Sequence, residues 1–355
     1  MKQFRQMNLE KVECSTISME DALDNKDVLI IDVRTPKEYS EAHVKGAVNI
    51  PLMSDYQRHI IGRIYKQKSR DAAIEKGWDI FQPIVNEFID RFRHIKQEIA
   101  IYCWRGGMRS RIVVNLLECF DIKSFQITGG FKSYMNDIIW KGLDVFAKSY
   151  NPKFITLFGN TGVRKTEILK ELEKKGMPVL DLEGLAQHRS SVFGAVNLKP
   201  LSHKMFSILL FHKLDELKDE KYIFTEGESP KIGNVFLPGF ISQKISDDIK
   251  INVCAGMETR VKCTMKEYII GDKSIEEIKS ATKKLEKIAG KKNVNMLLNL
   301  LDEKEYYLFT EWLLINYYDK RYVHAKKDYA YMKEIKSDNL RNAVIELVDY
   351  YKSIS

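Results

Sequence analysis

Twice along this chain a short apolar strand is followed by a glycine-bearing loop and then by a helix-like segment. The first strand, loop and helix cover residues 99–120, and the second set covers residues 154–175. Strands that alternate with helices form a mostly parallel sheet, and ligands bind where its strands end. The pattern therefore predicts an α/β fold with a candidate site in each loop.

The first loop, Tyr102–Ser110, contains Cys103. Gly106 and Gly107 allow the backbone to curl, so that successive amide N–H groups point at one centre. Full charges come from three arginines, Arg105, Arg109 and Arg111. Together with the positive end of the following helix, they favour a thiolate and would hold an anion on or near the sulfur. The alternative interpretation, a buried core cysteine, is the one we prefer for Cys119.

The second loop, residues 159–166, fits the phosphate-binding pattern G-x-x-x-x-G-K-[ST] at every defined position but one. The residues expected to bind diphosphate are Gly159, Thr161, Gly162, Lys165 and Thr166. Arg164 replaces the last glycine, where a side chain can clash or force different torsions. Two interpretations stay open. The loop still binds diphosphate, with Arg164 turned outward or contacting the ligand, or the site is lost and the fold is only a scaffold.

Length and composition set broad limits. The 355 residues are enough for two domains, which we place at 1–147 and 153–355, on either side of a linker at Lys148–Lys153. Five scattered cysteines without C-x-x-C spacing argue against a disulfide framework or a zinc site. The same cysteines indicate a reducing compartment, so we expect a cytoplasmic protein. No apolar run approaches a membrane span and residues 1–16 lack a signal-peptide core, so we expect no membrane partner. A net charge of +8 is compatible with a polyanionic partner such as RNA.

Apolar periodicity and turn residues predict the secondary structure. Strands are predicted at 28–33, 44–51, 99–102, 124–128, 154–158, 179–182, 222–225 and 250–254. Helices are predicted at 37–42, 78–95, 110–120 and 165–175. From Ser274 onward the sequence is predicted to be helical.

The first domain resembles a rhodanese. Asp32–Arg34 and Ala42–Pro51 look like the entry signature of that family, and Tyr102–Ser110 stands where it keeps its catalytic cysteine. The resemblance implies that Cys103 is catalytic and carries a persulfide or a selenium equivalent. It also implies an anion cradle around the cysteine, formed by Arg105, Gly106, Gly107 and Arg109.

The whole chain resembles the tRNA 2-selenouridine synthase family, which joins a rhodanese domain to a P-loop domain. Besides the cysteine loop, the resemblance rests on Asp181–Gly194, Glu226–Gly233 and Asn316–Tyr322. It implies an N-terminal rhodanese-like domain with a central parallel sheet. It also implies a C-terminal α/β domain of the P-loop NTPase type, with a helical C-terminal region.

The activity implied by this resemblance is replacement of the sulfur of 2-thiouridine at the tRNA wobble position with selenium. The implied small-molecule substrates are selenophosphate and geranyl diphosphate, with an S-geranyl intermediate. The implied macromolecular partner is tRNA, bound through an anticodon loop that carries 2-thiouridine. We expect no tightly bound cofactor and no protein-held metal, although Mg²⁺ could bind at Thr166 with the diphosphate.

Further positions match the family and are candidate contacts to ligand or tRNA. They are Asp181, Glu183, His188, Arg189, Glu226 and Glu228. Glu226 and Glu228 follow a predicted strand, the place for an acidic partner of a metal or a water. The alternative for Asp181 and Glu183 is helix capping or a surface position.

Two further departures from the family pattern also fall in the second domain. Ser190 stands in place of a glycine and Pro230 in place of an arginine. Together with Arg164, these changes have two interpretations. The arginine gained at 164 compensates for the arginine missing at 230, or the diphosphate site has decayed. Two other functions therefore stay open, a general rhodanese-type sulfurtransferase and a non-catalytic tRNA-binding protein with a degenerate P-loop.

Overall fold

The computed structural model describes residues 9, 11–321 and 329–355. The chain divides into two compact units, Met1–Gly142 and Leu143–Ser355. Each unit is built around its own five-stranded parallel sheet. The α/β class predicted from the sequence is confirmed.

The sheet of the first unit has short strands that run in one direction. They are β1 (Thr16–Ile17), β2 (Val28–Asp32), β3 (Val48–Asn49), β4 (Glu98–Tyr102) and β5 (Ser124–Ile127). Their order across the sheet is β1-β5-β4-β2-β3. The central strand β4 is almost entirely buried, as expected for a parallel strand covered on both faces. Its carboxyl end leads directly into Cys103.

Helices pack against this sheet and share its apolar core with the strands. They are α1 (Met19–Asp24), α2 (Pro36–Glu41), α3 (Asp55–Gln67), α4 (Arg70–Phe81), α5 (Val85–Asp90), α6 (Met108–Glu118) and α7 (Gly130–Ser133). A 3-10 turn, Gln82–Ile84, joins α4 to α5, and a π-helix, Tyr134–Trp140, follows α7. Cys103 lies in the same apolar cluster as Trp78 and Phe81 of α4.

The second unit has a parallel sheet and a separate two-stranded antiparallel hairpin. The strands of the sheet are β6 (Lys153–Phe158), β7 (Val179–Leu180), β8 (Tyr222–Glu226), β11 (Ile249–Cys254) and β12 (Lys333–Lys336), and the hairpin is β9 (Lys231–Ile232) with β10 (Val235–Phe236). The order in the sheet is β12-β11-β6-β8-β7. The strand β6, which precedes the glycine loop, is therefore central.

The helices of the second unit fall into two groups, one around the sheet and one with its own apolar core. In chain order they are α8 (Lys141–Ser149), α9 (Lys165–Lys174), α10 (Leu182–Ala186), α11 (His203–Glu216), α12 (Gly239–Asp247), α13 (Met257–Tyr268), α14 (Asp272–Lys283), α15 (Glu286–Ala289), α16 (Lys291–Asp302), α17 (Tyr306–Leu313), a π-helix (Leu314–Tyr318) and α18 (Leu340–Ile354). None of the helices in the described ranges has the length and apolar character needed to cross a bilayer.

Four sequence-based expectations about local structure are wrong. The predicted strand 44–51 is reduced to the two residues of β3, and helix α8 extends into the predicted linker as far as Ser149. The region after Ser274 is not wholly helical, because β12 lies between its helices and pairs with β11. Cys119 is exposed at the end of α6 rather than buried, because the helix stops one residue before it.

Candidate functional site

The sulfur of Cys103 is held by the loop that follows it. The N–H of Gly107 donates to Cys103 Sγ at 3.3 Å, and the hydroxyl of Ser110 lies 3.3 Å from the same sulfur. Gly107 is also the residue from which α6 begins, so the positive end of that helix faces the sulfur. Cys103 is only 4% exposed. A backbone amide and a hydroxyl are therefore directed at a buried thiol.

Close backbone packing gives this loop its shape. Gly106 has φ +59°, and a Cβ there would lie 2.6 Å from the carbonyl oxygen of Ile127. A Cβ on Gly130, at φ +57°, would overlap the carbonyl oxygen of Cys103 and the amide nitrogen of Gly106. Gly107 differs, because its φ is −106° and the space around it is open. Of the two glycines in the loop, Gly106 is the one that the backbone requires.

Gln126 of β5 fixes the loop from behind, a role that sequence reasoning missed. Its side-chain amide donates to the carbonyls of Gly106 (2.8 Å) and Gly107 (3.0 Å) and to the hydroxyl of Ser110 (2.9 Å). Gln126 is buried, with 3% of its surface exposed. A glutamine between Phe125 and Ile127 in the predicted strand was the available signal, since a buried polar side chain must find partners.

The arginines predicted around the cysteine have different surroundings. Arg109 forms a bidentate ion pair with Glu38, with N–O distances of 2.7 and 3.2 Å. Burial would raise the pKa of Glu38, but the hydrogen bond and charge of Arg109 outweigh it and hold that pKa below its usual value. Arg105 is exposed and Arg111 is partly buried on α6. Of the four residues predicted to surround the cysteine, Gly107 contacts its sulfur through the backbone amide. Ser110, which was not among the four, also contacts the sulfur, and Arg109 is paired with Glu38.

Asp32 and Arg34, at the end of β2, form a buried ion pair near the cysteine loop. Arg34 donates to both oxygens of Asp32 and, at 2.7 Å, to the carbonyl of Ala42. Its guanidinium lies 4.0 Å from the ring centre of Phe131. The N–H of Phe131 in turn donates to the carbonyl of Cys103 at 2.9 Å. This buried ion pair therefore contacts the cysteine loop through one aromatic residue.

In the second unit, the loop between β6 and α9 has the path of a phosphate-binding loop. Lys165 folds back onto it, with Nζ donating to the carbonyls of Gly159 (2.7 Å) and Asn160 (3.3 Å). Desolvation lowers the pKa of Lys165, although nearby glutamates act in the opposite direction. The hydroxyl of Ser337, just after β12, donates to the carbonyl of Val163 at 2.8 Å and fixes the loop before Arg164.

Arg164 adopts the backbone conformation of the glycine that it replaces. Its φ of +65° and ψ of 19° lie in the left-handed region, which costs a residue with a side chain roughly 1–2 kcal/mol. The side chain turns to the wall formed by α13, where Nε lies 3.1 Å from the sulfur of Cys263 and 3.8 Å from a carboxylate oxygen of Glu167. The left-handed backbone conformation that favours glycine is therefore present with an arginine at this position.

The acidic residues predicted near this loop separate into two groups. Asp181 is the N-cap of α10 and accepts from the N–H of Gly184 at 2.7 Å, as the capping alternative states. Glu226 is the last residue of β8, only 3% exposed, and accepts from the N–H of Glu183 at 2.7 Å. Burial, reinforced by neighbouring carboxylates, raises the pKa of both Glu183 and Glu226 well above the usual range. Glu183 and Glu228 line the cleft, whereas Asp181 and Glu226 lie behind it.

His188 and Arg189 are held firmly in the wall of the same cleft. The imidazole of His188 fits between the backbones of Gly194 and Gly233, and burial followed by the charge of Arg189 lowers its pKa. Arg189 donates to Glu267 at 2.7 Å and to the carbonyl of Val196 at 2.9 Å. Two of the five N–H donors of the guanidinium are therefore used within the protein wall.

These side chains surround a cleft of about 1300 Å³ at the carboxyl end of β6. The predicted site residues that line it are Gly159, Thr161, Gly162, Lys165, Thr166, Glu183, His188, Arg189 and Glu228. Sequence reasoning missed the other cations and the aromatic residues of its wall, among them Lys170, Lys266, Tyr268, Tyr317, Tyr318 and Arg321. Tyr322, the last residue of the third family-like stretch, lies outside the described residues.

Arg260 is a further residue that sequence reasoning missed. It lies on α13, is 6% exposed, and donates from Nε to the carbonyl of Thr161 at 2.9 Å. Its other nitrogens bind both carboxylate oxygens of Asp319 at 2.6 and 3.0 Å. An arginine in the middle of a charged helix gave no signal of burial, because its partners lie far away in the sequence.

Comparison with known proteins identifies the two units. Residues 15–137 match the model of the rhodanese-like domain, and residues 152–353 match the AAA domain of tRNA 2-selenouridine synthase. The second match covers more than half of the chain. The rhodanese-like and P-loop-like domains expected from the sequence are thereby confirmed.

Curated relatives give the same result. The chain is 33% identical over 257 residues to tRNA 2-selenouridine synthase of Nitrosomonas europaea, a match covering 70% of this chain and 66% of the relative. It is 31% identical to the enzyme of Bdellovibrio bacteriovorus, covering 72% and 69% of the two chains. It is 30% identical to the enzyme of Marinobacter nauticus, a match that covers 83% of this chain and 88% of the relative. The matched segment thus spans about two thirds of the first relative's length and more of the other two, and the chain belongs to the tRNA 2-selenouridine synthase family.

Proposed function

We propose that this protein is a transferase that replaces the sulfur of 2-thiouridine in tRNA with selenium. The donor is selenophosphate, and the sulfur is first converted to an S-geranyl thioether with geranyl diphosphate. The observation that carries the proposal is the directed contact of the Gly107 amide and the Ser110 hydroxyl with Cys103, in a chain of this family. Cys103 is the residue to which we assign the handling of selenium.

The first reaction belongs to the cleft of the second unit. The thiocarbonyl sulfur of 2-thiouridine attacks the geranyl carbon bound to oxygen, a C–S bond forms, and diphosphate leaves as the N3 proton is lost. Lys165 is placed to exchange its contacts with the Gly159 and Asn160 carbonyls for contacts with the diphosphate. Thr166 lines the same cleft and would ligate Mg²⁺ bound with the diphosphate.

The second reaction belongs to the cysteine loop. The P–Se bond of selenophosphate is cleaved by water to give phosphate, and selenium forms a bond to C2 of the uridine. The C2–S bond breaks, geranyl thiol leaves, and a proton returns to N3. The amide of Gly107 and the start of α6 support binding of the selenophosphate anion beside Cys103.

The tRNA partner is supported by charge and by aromatic groups. The net charge is +8, and the cleft wall contains Lys170, Lys266 and Arg321 together with Tyr317. Cations bind the phosphate backbone, and aromatic rings stack on bases displaced from a single-stranded loop. A tRNA substrate also agrees with a cytoplasmic location, which remains part of the proposal, as does the lack of a tightly bound cofactor.

Mass spectrometry of wobble nucleosides tests this assignment. We would incubate the protein with 2-thiouridine-containing tRNA, geranyl diphosphate and selenophosphate, and compare the wild type with Cys103→Ser and Lys165→Ala. The expected result is 2-selenouridine with the wild type, S-geranyl-2-thiouridine alone with Cys103→Ser, and unchanged 2-thiouridine with Lys165→Ala. Full selenation by Cys103→Ser would refute the role of the cysteine, and turnover of thiosulfate without use of selenophosphate would favour a general sulfurtransferase.

A further inference from the structure

The first unit contains an apolar pocket of about 470 Å³ that the assignments above do not use. It lies between α3 and α4 and reaches the first turns of α6. The apolar part of its wall includes Leu52, Ile61, Trp78, Phe81, Met108 and Ile112. A concave, mostly apolar space of a few hundred Å³ is typical of a small-molecule site.

Two glycines inside helices keep this pocket open. Gly62 of α3 and Gly77 of α4 both line it. A Cβ on Gly77 would meet only the end of Ile61, at 3.8 Å, and one on Gly62 would meet only the guanidinium end of Arg58. Glycine in a helix interior is unfavourable relative to alanine, and neither position needs it for backbone conformation or close packing. What both glycines provide is empty space for another group.

The polar part of the wall is strongly positive. Arg58, Lys66, Arg70 and Arg109 line the pocket, and its lining residues include no carboxylate. Arg109 is paired with Glu38, whereas Arg58, Lys66 and Arg70 form no ion pair within the described part of the chain. An apolar pocket with unpaired cations around it fits a ligand that has a hydrocarbon chain and an adjoining phosphate.

The pocket also shares a wall with the cysteine loop. Met108 and Ile112 lie on α6, whose N-cap amide donates to Cys103 Sγ. Leu52 and Trp78 line the pocket and belong to the same apolar cluster as Cys103. A chain bound in the pocket would therefore lie next to the loop to which we assign the handling of selenium.

We propose that this pocket binds the geranyl chain of the S-geranyl uridine, with RNA phosphates at Arg58, Lys66 and Arg70. The inference rests on the proposed function, because it requires the S-geranyl intermediate. Two ligands could offer the pocket a geranyl chain with a phosphate within reach. They are the geranylated anticodon loop and free geranyl diphosphate. The position beside Cys103 favours the first source, since selenium must reach the carbon that bears the geranylated sulfur.

Titration calorimetry with full-length protein distinguishes these sources. The probes are an anticodon stem-loop with S-geranyl-2-thiouridine, the same stem-loop with 2-thiouridine, and geranyl diphosphate. Each is titrated in a Lys165→Ala background, which removes binding by the loop of the second unit. We expect the geranylated RNA to bind at least tenfold more tightly than its thiouridine counterpart. Equal affinity of the two RNAs would overturn the proposal, and tight binding of free geranyl diphosphate alone would assign the pocket to that ligand instead.

Gly77→Leu and Gly77→Ala form a matched pair for the same titration. Leucine fills the pocket and should abolish the tenfold preference, whereas alanine adds one methyl group and should keep most of it. Both variants should melt no lower than the parent, because both residues favour helix over glycine. If wild-type protein forms S-geranyl uridine and Gly77→Leu keeps the full preference, the pocket assignment fails while the proposed function stands. If no S-geranyl uridine is formed, the proposed function itself fails.

A charge variant tests the cations separately. Replacing Arg58, Lys66 and Arg70 together with glutamine should weaken the geranylated stem-loop at least tenfold. Binding of the uncharged S-geranyl-2-thiouridine nucleoside should be unchanged, since it carries no phosphate. An equal loss for both ligands would contradict the phosphate role of these side chains.

Discussion

Arg260 binds Asp319 through two nitrogens while its Nε donates to the carbonyl of Thr161 in the phosphate-binding loop. Asp319 belongs to the stretch Asn316–Tyr322 that contributed to the family resemblance. The ion pair thus gives that stretch a physical role, which is to hold the loop in place from α13. The carboxylate of Asp319 is thereby paired with a buried arginine.

Removal of that carboxylate should loosen the loop. In Asp319→Ala the largely buried guanidinium of Arg260 loses two of its hydrogen bonds, and we expect a loss of about 1–3 kcal/mol in the free energy of unfolding. Affinity for geranyl diphosphate should fall as well. Urea denaturation and calorimetry measure the two effects. Asp302→Ala is the control, because Asp302 pairs with Lys279 on the surface, and it should change neither quantity.

Gly130 should be intolerant of even one added methyl group. In Gly130→Ala the Cβ would overlap the backbone of Cys103 and Gly106, so we expect a loss of about 2–4 kcal/mol in stability together with a loss of selenation. Gly46→Ala is the matched control, since Gly46 also has a positive φ, +81°, but no atom lies within 4 Å of its Cβ position. It should lose only about 1 kcal/mol and keep its activity. Similar behaviour of the two variants in thermal melts and in the selenation assay would show that the overlap does not matter.

Arg164→Gly should bind geranyl diphosphate at least as well as the wild type. Glycine adopts the left-handed conformation without strain, which should raise the free energy of unfolding by roughly 1 kcal/mol. The contact of the arginine with Cys263 is lost, which acts in the opposite direction. The net change in stability should therefore be small. Calorimetric titration of both proteins gives the comparison. A variant that binds tenfold more weakly would mean that the arginine itself contacts the ligand, and no binding by either protein would mean that the loop is only a scaffold.

Glu226→Gln should stabilise the protein at pH 8 but not near pH 4.5. Burial raises the pKa of Glu226, so the folded protein binds a proton that the unfolded chain releases above pH of about 4.3. The stability of the wild type therefore falls as the pH rises from that value towards the folded pKa. At pH 8 the glutamine variant should be more stable by roughly 1–3 kcal/mol, and near pH 4.5 it should have no advantage. Urea unfolding at the two pH values measures this, and a difference independent of pH would contradict the raised pKa.

The features that could be predicted from the sequence are those encoded locally. Both strand–loop–helix segments follow from apolar runs and glycines within about twenty residues, and the motif residues of each segment lie where they were expected. Strand β12 could not be predicted, because Lys333–Lys336 contains one apolar residue, Ile335, and its stability comes from pairing with β11.

Residues that hold the candidate sites depend on contacts between distant parts of the chain. Glu38 pairs with Arg109 across 71 positions, and Arg260 pairs with Asp319 across 59. Each side chain alone resembles an ordinary surface charge. Asp181 was ambiguous for a different reason, since a carboxylate before a helix serves equally as a cap or as a ligand, and the hydrogen bond to Gly184 identifies the cap.

The bond from Ser337 to Val163 spans 174 positions and has a consequence for the order in which the protein acquires its shape. During synthesis, Gly159 to Lys165 leave the ribosome long before the strand that fixes them exists. Until residues 319 and 337 have emerged, Arg260 lacks Asp319 and the carbonyl of Val163 lacks Ser337, so two of the contacts that hold this loop are missing. We therefore expect diphosphate binding to arise late, when translation is almost finished, whereas the cysteine loop has all its partners by residue 131. A nascent chain would thus complete its cysteine loop well before loop 159–166.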